Sequence, residues 1–114
     1  MQQLQVYFYR TAKGKSPVEE YISGLPKDDL ARFTDVYKGI KEYGLAYARV
    51  HLKHLRGKLW EIKFSARSGG YRIAYVMISQ TEMIWLHAFA KKTQKTPIRD
   101  LETAENRMME VLKK

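Results

Sequence analysis

The chain has 114 residues, no cysteine, and 21 lysines and arginines against 12 acids, for a formal net charge of +9. That length suits a single domain able to bury an ordinary core unaided, and the lack of thiols excludes disulfide frameworks, zinc ribbons and cysteine nucleophiles while fitting a reducing compartment. The longest apolar runs are strand-length and the N-terminus lacks the basic-then-apolar order of a secretory signal, so a soluble, cytoplasmic protein is expected.

In chain order, Leu4, Val6 and Phe8 alternate with Gln5, Tyr7 and Tyr9, which predicts a strand with one buried face. Ser16-Pro17-Val18-Glu19 has the pattern of a capping box with proline at the first helical position, opening a short helix that ends near Gly24. After Leu25-Pro26, Leu30, Phe33, Tyr37 and Ile40 recur at helical spacing as far as Gly44, a glycine suited to the C-terminal cap. Three runs rich in β-branched and aromatic residues follow, KLWEIKF (58–64), YRIAYVMIS (71–79) and EMIWLHAFA (82–90), and predict an antiparallel meander. Arg67 sits at the tip of the first loop, and Gln80-Thr81 leaves a tight turn at the second. The middle run is apolar on both faces, as a central strand should be. Thr96-Pro97 reads as N-cap and first-turn proline of a closing amphipathic helix carrying Ile98, Leu101, Ala104, Met108, Val111 and Leu112.

The charge is concentrated. Between Arg49 and Arg99 stand eleven lysines and arginines and only two acids, Glu61 and Glu82, while the remainder of the chain is neutral on balance. A localised basic surface points to a polyanion, with nucleic acid the first candidate. The scattered His51, His54 and His87 lack ligand spacing, so neither metal nor cofactor is expected. GxSxG, P-loop and GxGxxG patterns do not occur. Metal-free RNA cleavage asks instead for cations that stabilise phosphoryl charge and for groups that move protons to and from ribose oxygens. Arg72 on the central strand, Lys63 on the strand before it, and His87, Lys91 and Lys92 on or after the next are placed to meet on one patch, with Glu61 or His87 as titratable groups.

The runs LWEIKF, GYRIAY and IWLHAFAKKTQKTP, followed by IRDLETAENRM, resemble the HigB/RelE-like toxins of type II toxin–antitoxin systems, in their phage-derived HigB-like branch. The resemblance covers nearly the whole chain and implies a compact α+β fold of β-α-α-β-β-β-α order, with a curved antiparallel sheet and helices packed on one side. It implies ribosome-dependent mRNA cleavage, hence inhibited translation, and a cognate antitoxin of the helix-turn-helix DNA-binding kind. Position by position it makes Arg72 a phosphate-stabilising arginine and Lys92 a catalytic base or cation. Glu61 and Lys63 match an LWELR-like element with Lys in place of Arg, which keeps the charge but loses bidentate geometry. His87 matches the histidine of an LHxFxKK element. A C-terminal tyrosine found in the RelE branch has no counterpart, since Tyr75 is the last tyrosine. Lys53, His54, Arg56, Lys58, Arg67, Lys91 and Lys95 complete the basic surface offered to RNA.

The same residues have structural readings. Arg72 fits an anchor within the sheet, Glu61 a partner for Lys63 or Arg72, His87 a core histidine, Lys91, Lys92 and Lys95 a solvated face, and Trp60 and Trp85 the core. A non-catalytic RNA- or ribosome-binding inhibitor of translation is the alternative function. A DNA-binding regulator fits less well, because the basic cluster lies on strands and loops and not on a recognition helix.

Overall fold

A computed structural model describes residues 3–47 and 50–113; Arg49, first of the basic stretch, lies outside the described residues. Strand β1 (Gln5–Phe8) leads to helices α1 (Pro17–Ser23) and α2 (Lys27–Tyr43), then strands β2 (His51–Arg56), β3 (Leu59–Ala66), β4 (Gly69–Met77) and β5 (Glu82–Ala90), and finally helix α3 (Ile98–Leu112). One open five-stranded sheet has the order β1-β5-β4-β3-β2. β1 runs parallel to β5, and every other pairing is antiparallel.

The α+β class and the β3-β4-β5 meander are as expected, and β4 is the central strand, buried on both faces from Tyr71 to Val76. The sheet differs from the wholly antiparallel meander in two ways. β1 joins it in parallel, and β2 adds a strand at the far edge whose sequence, His-Leu-Lys-His-Leu-Arg, carries no fully buried position. An edge strand needs no apolar face, so periodicity does not betray it.

Helices cover both faces and not one. Val18, Phe33, Val36 and Ile40 of α1 and α2 pack on Ile62, Phe64, Ile73, Tyr75 and Trp85. On the other face Ala104, Leu101, Met108 and Val111 of α3 pack on Leu59, Ala74, Val76 and Leu86. Two apolar faces on β4 require two layers of cover, and α3 provides the second. A bulge in β5 serves that layer. Ala74 opposes His87 while Tyr75 opposes Trp85, so Leu86 is the extra residue. Strict alternation would aim Leu86 and His87 at opposite faces; with the bulge, Leu86 packs under α3 and His87 bonds to it.

Helix ends follow the punctuation with two local exceptions. α2 stops at Gly44, whose φ of 73° is the left-handed conformation that glycine adopts without a Cβ penalty, and its N–H donates to the Ile40 carbonyl. α1 starts at Pro17 as read, yet the Ser16 hydroxyl makes no capping bond. α3 starts one residue later than read, with Pro97 as the N-cap. The Thr96 hydroxyl is committed elsewhere, to Glu61.

Candidate functional site

Cross-strand register assembles the site on the α3 face of the sheet. His51, Lys63, Arg72 and Phe89 form one transverse row, and Lys53, Glu61, Ala74 and His87 form the next. The meander therefore brings Glu61, Lys63, Arg72 and His87 together, although they are spread over 27 positions of sequence. β5 ends at Ala90, and a strap from Lys91 to Pro97 crosses this end of the sheet before α3 begins.

Arg72 and Glu61 lie beneath that strap with fully buried side chains, their Nε and Oε2 atoms 3.6 Å apart. Arg72 Nη2 donates to the backbone carbonyls of Thr93 at 2.8 Å and Gln94 at 2.6 Å. Its Nη1 reaches the Thr96 hydroxyl at 3.5 Å, and that hydroxyl donates to Glu61 Oε1 at 2.8 Å. A buried guanidinium is tolerated here because a carboxylate compensates its charge and the strap supplies acceptors. Lys91 N–H donates to the Gly70 carbonyl, fixing the start of the strap.

His87 is partly buried between two partners on α3. Its Nε2 is 2.8 Å from Asp100 Oδ1, and Arg107 Nη1 stands 3.5 Å from Nδ1. Burial pushes its pKa below the usual imidazole value, outweighing the bond to Asp100 that pulls the other way, with Arg107 adding to the lowering. A neutral ring with the proton on Nε2 satisfies both neighbours, donating to Asp100 and accepting from Arg107. The ring also stacks on Phe89 at 4.9 Å.

Cations without an acidic partner gather around this centre. Lys63 and Lys91 line a shallow cleft of about 290 Å³ with His51, Ser65 and Gly70, and Lys92 and Lys95 stand exposed on the strap. None of these four lysines makes an ion pair among the described residues. Gly70 keeps the cleft wall close, since a Cβ there would meet the Lys91 side chain at 3.3 Å. A larger cavity of about 650 Å³ beside Leu4, Tyr37 and Lys41 holds none of the candidate catalytic or RNA-binding residues.

The remaining basic residues are not gathered here. Arg67 turns toward α2 and pairs with Asp28 at 3.1 Å. Arg56 pairs with Glu105 of α3 at 3.2 Å, and Lys58 is exposed in the adjoining turn, at the opposite end of β3 from Lys63. His54 lies against Trp60 with ring centroids 5.0 Å apart. By register with Trp60 and Ile62 they occupy the α1/α2 face. Lys53, half-buried on β2, opposes Glu61. Trp85 is core as read, whereas Trp60 is 38% exposed. Sequence reasoning missed Thr96 and Asp100 as partners of Glu61 and His87, and His51 as a cleft residue. Thr96 carries a sequence signal, but it is that of a helix cap before Pro97.

A search of curated proteins finds no significant match. A family model does match, over residues 20–109, under the description "Phage derived protein Gp49-like (DUF891)". The matched span runs from within α1 to near the end of α3 and holds all the site residues above. The chain therefore belongs to the phage-derived Gp49-like family, a family associated with the toxins of toxin–antitoxin systems.

Proposed function

We propose that this chain is the toxin of a toxin–antitoxin pair and an mRNA endonuclease of the HigB/RelE kind, cutting translated message in the ribosomal decoding site without a metal. The observation that carries this reading is the set of unpaired lysines, Lys63, Lys91, Lys92 and Lys95, around one end of a sheet in a Gp49-like chain. In the proposed reaction the ribose 2′-oxygen attacks the adjacent phosphorus, the P–O5′ bond breaks, a base takes the 2′ proton and an acid protonates the departing oxygen. The products are a 2′,3′-cyclic phosphate and a 5′-hydroxyl end. Lysine ammonium groups at the cleft stabilise the charge that builds on the phosphoryl oxygens. Lys92, exposed on the strap, and neutral His87 on β5 are the groups proposed for proton transfer. The proposed antitoxin, a helix-turn-helix protein, covers the basic end with an acidic segment.

A second reading, a non-catalytic RNA- or ribosome-binding inhibitor, is favoured by a specific observation. Arg72 and Glu61 are buried and neutralise each other, and His87 is held between Asp100 and Arg107. Sequencing new 5′-hydroxyl ends in cells briefly expressing the protein separates the two. Ends confined to translated frames and lost in Lys92→Ala support the nuclease; growth arrest without new ends supports the binder. Lys92 is the better probe because its side chain is exposed, whereas loss of Arg72 would also disturb the fold.

A further inference from the structure

The contacts of Arg72 point to a role different from the phosphate contact that resemblance implies. Its side chain is wholly buried, and the two carbonyls it bonds belong to the strap lying over it. RNA cannot reach the guanidinium while the strap is in place. Its bonds to the strap, at 2.6 and 2.8 Å, are also closer than its 3.6 Å approach to Glu61. Among the described residues, Arg72 Nε and Glu61 Oε2 make no hydrogen bond. The pair is tied to the strap more closely than to itself. Thr96 closes the arrangement by donating to Glu61 while lying within 3.5 Å of Arg72. A lysine at position 72 would preserve the charge but could not present a planar fork to two carbonyls and a hydroxyl at once.

We propose that Arg72, Glu61 and Thr96 form a buried latch that holds the 91–97 strap against the sheet, so that Arg72 is a positioning residue that presents Lys92 and Lys95 to the RNA backbone without touching it. The proposal rests on the RNA-binding reading above. It makes the affinity contributed by the strap lysines conditional on groups that no phosphate meets.

The test uses the purified full chain with a short single-stranded RNA oligonucleotide, and compares wild type with Thr96→Val, Arg72→Lys and the double variant Lys92→Ala/Lys95→Ala. Binding is followed by fluorescence anisotropy across a salt series, and strap opening by the rate of tryptic cleavage after Lys92 and Lys95. Thr96→Val is nearly isosteric, and its cooperative thermal unfolding serves as the check on folding. Opening of the latch is expected to raise the cleavage rate about tenfold or more, since cleavage follows the population of the open strap. Each phosphate contact on single-stranded nucleic acid contributes about 0.7 to the salt slope, so loss of both strap lysines lowers the slope by about 1.4. Thr96→Val should show this fall, Arg72→Lys should reproduce it, and Thr96→Val should add nothing in the Lys92→Ala/Lys95→Ala background. A loosened strap with wild-type affinity and slope overturns the positioning role while leaving the RNA reading intact. A strap still protected in both variants overturns the latch. A wild-type chain that binds no RNA overturns the RNA reading and the positioning role together, and the proteolysis rates then report only whether the latch exists.

Discussion

Arg72 and His87 show how far a side chain's surroundings set its role. Removing one member of a buried ion pair strands the other charge, which typically costs about 3–5 kcal/mol. Arg72→Ala should therefore destabilise the fold by that amount in urea unfolding followed by tryptophan fluorescence. Replacing both members with apolar residues of similar size, Glu61→Leu/Arg72→Met, should recover most of the loss, and a double variant as unstable as the single one would contradict the pair as the cause. Lys92→Ala, at an exposed position, should stay within about 0.5 kcal/mol of wild type. His87 makes a pH prediction. Its folded pKa lies below the unfolded value of about 6.5, so on acidification the unfolded chain takes up a proton before the folded chain does. The contribution of a neutral His87 is then complete above about pH 6.5 and is lost as pH falls toward the lowered folded value. Unfolding free energy should decline through that window in wild type and decline less in His87→Gln.

Among the elements, the junction of α2 with the β3–β4 hairpin is tied by one buried carboxylate. Asp29 on the first turn of α2 accepts from the Tyr71 hydroxyl at 2.5 Å and from Ser68 N–H at 3.1 Å. These bonds, Tyr71 foremost, hold its carboxyl below the usual aspartate range. Burial, reinforced by Asp29, pushes the Tyr71 phenol up to about 12, so it remains a donor at ordinary pH. Tyr71→Phe leaves the carboxylate short of a partner and should cost about 1–3 kcal/mol. A depressed acid stabilises the fold above its unfolded pKa of about 3.9, and that stability disappears as pH falls through the folded value. The acid side of the stability profile below about pH 4 should therefore be shallower in Tyr71→Phe. At this scale the sequence was legible wherever burial imposed a period. β5 spans the residues read for it, and α2 ends at its glycine. It was illegible where no period is required, as in polar edge strand β2, and where cover comes from a distant segment. The placement of α3 on the second face follows from Leu59, Ala74 and Leu86 needing a partner, which no local pattern in α3 announces.

For the molecule as a whole, the concentration of charge was plain in the sequence, but its division between two ends of one sheet was not. Arg56, Arg67 and Arg72 each meet an acid from another element, Glu105, Asp28 and Glu61 in turn, and only the folded chain reveals which cations are left unpaired. Among the described residues of the basic stretch, the lysines without an ion pair, apart from Lys53 opposite Glu61, fall into two groups. Lys63, Lys91, Lys92 and Lys95 lie at the strap end, while Lys58 sits at the β2–β3 turn, five residues back along β3 from Lys63 and so roughly 16 Å away at about 3.3 Å per residue. If the strap end is the RNA-binding face, single alanine substitutions should sort by location and not by charge, since all remove the same charge. Lys63→Ala, Lys91→Ala and Lys92→Ala should each lower the salt slope for single-stranded RNA by about 0.7, with affinity falling accordingly, while Lys58→Ala leaves the slope unchanged. Anisotropy titrations across a salt series read both quantities. An equal effect from Lys58 would mean that RNA follows the net field of the protein and engages both ends, which removes the basis for placing the site at the strap. Separation of the two groups would mean that ion pairing within the fold, by silencing Arg56, Arg67 and Arg72, has narrowed a broadly basic sequence to one face.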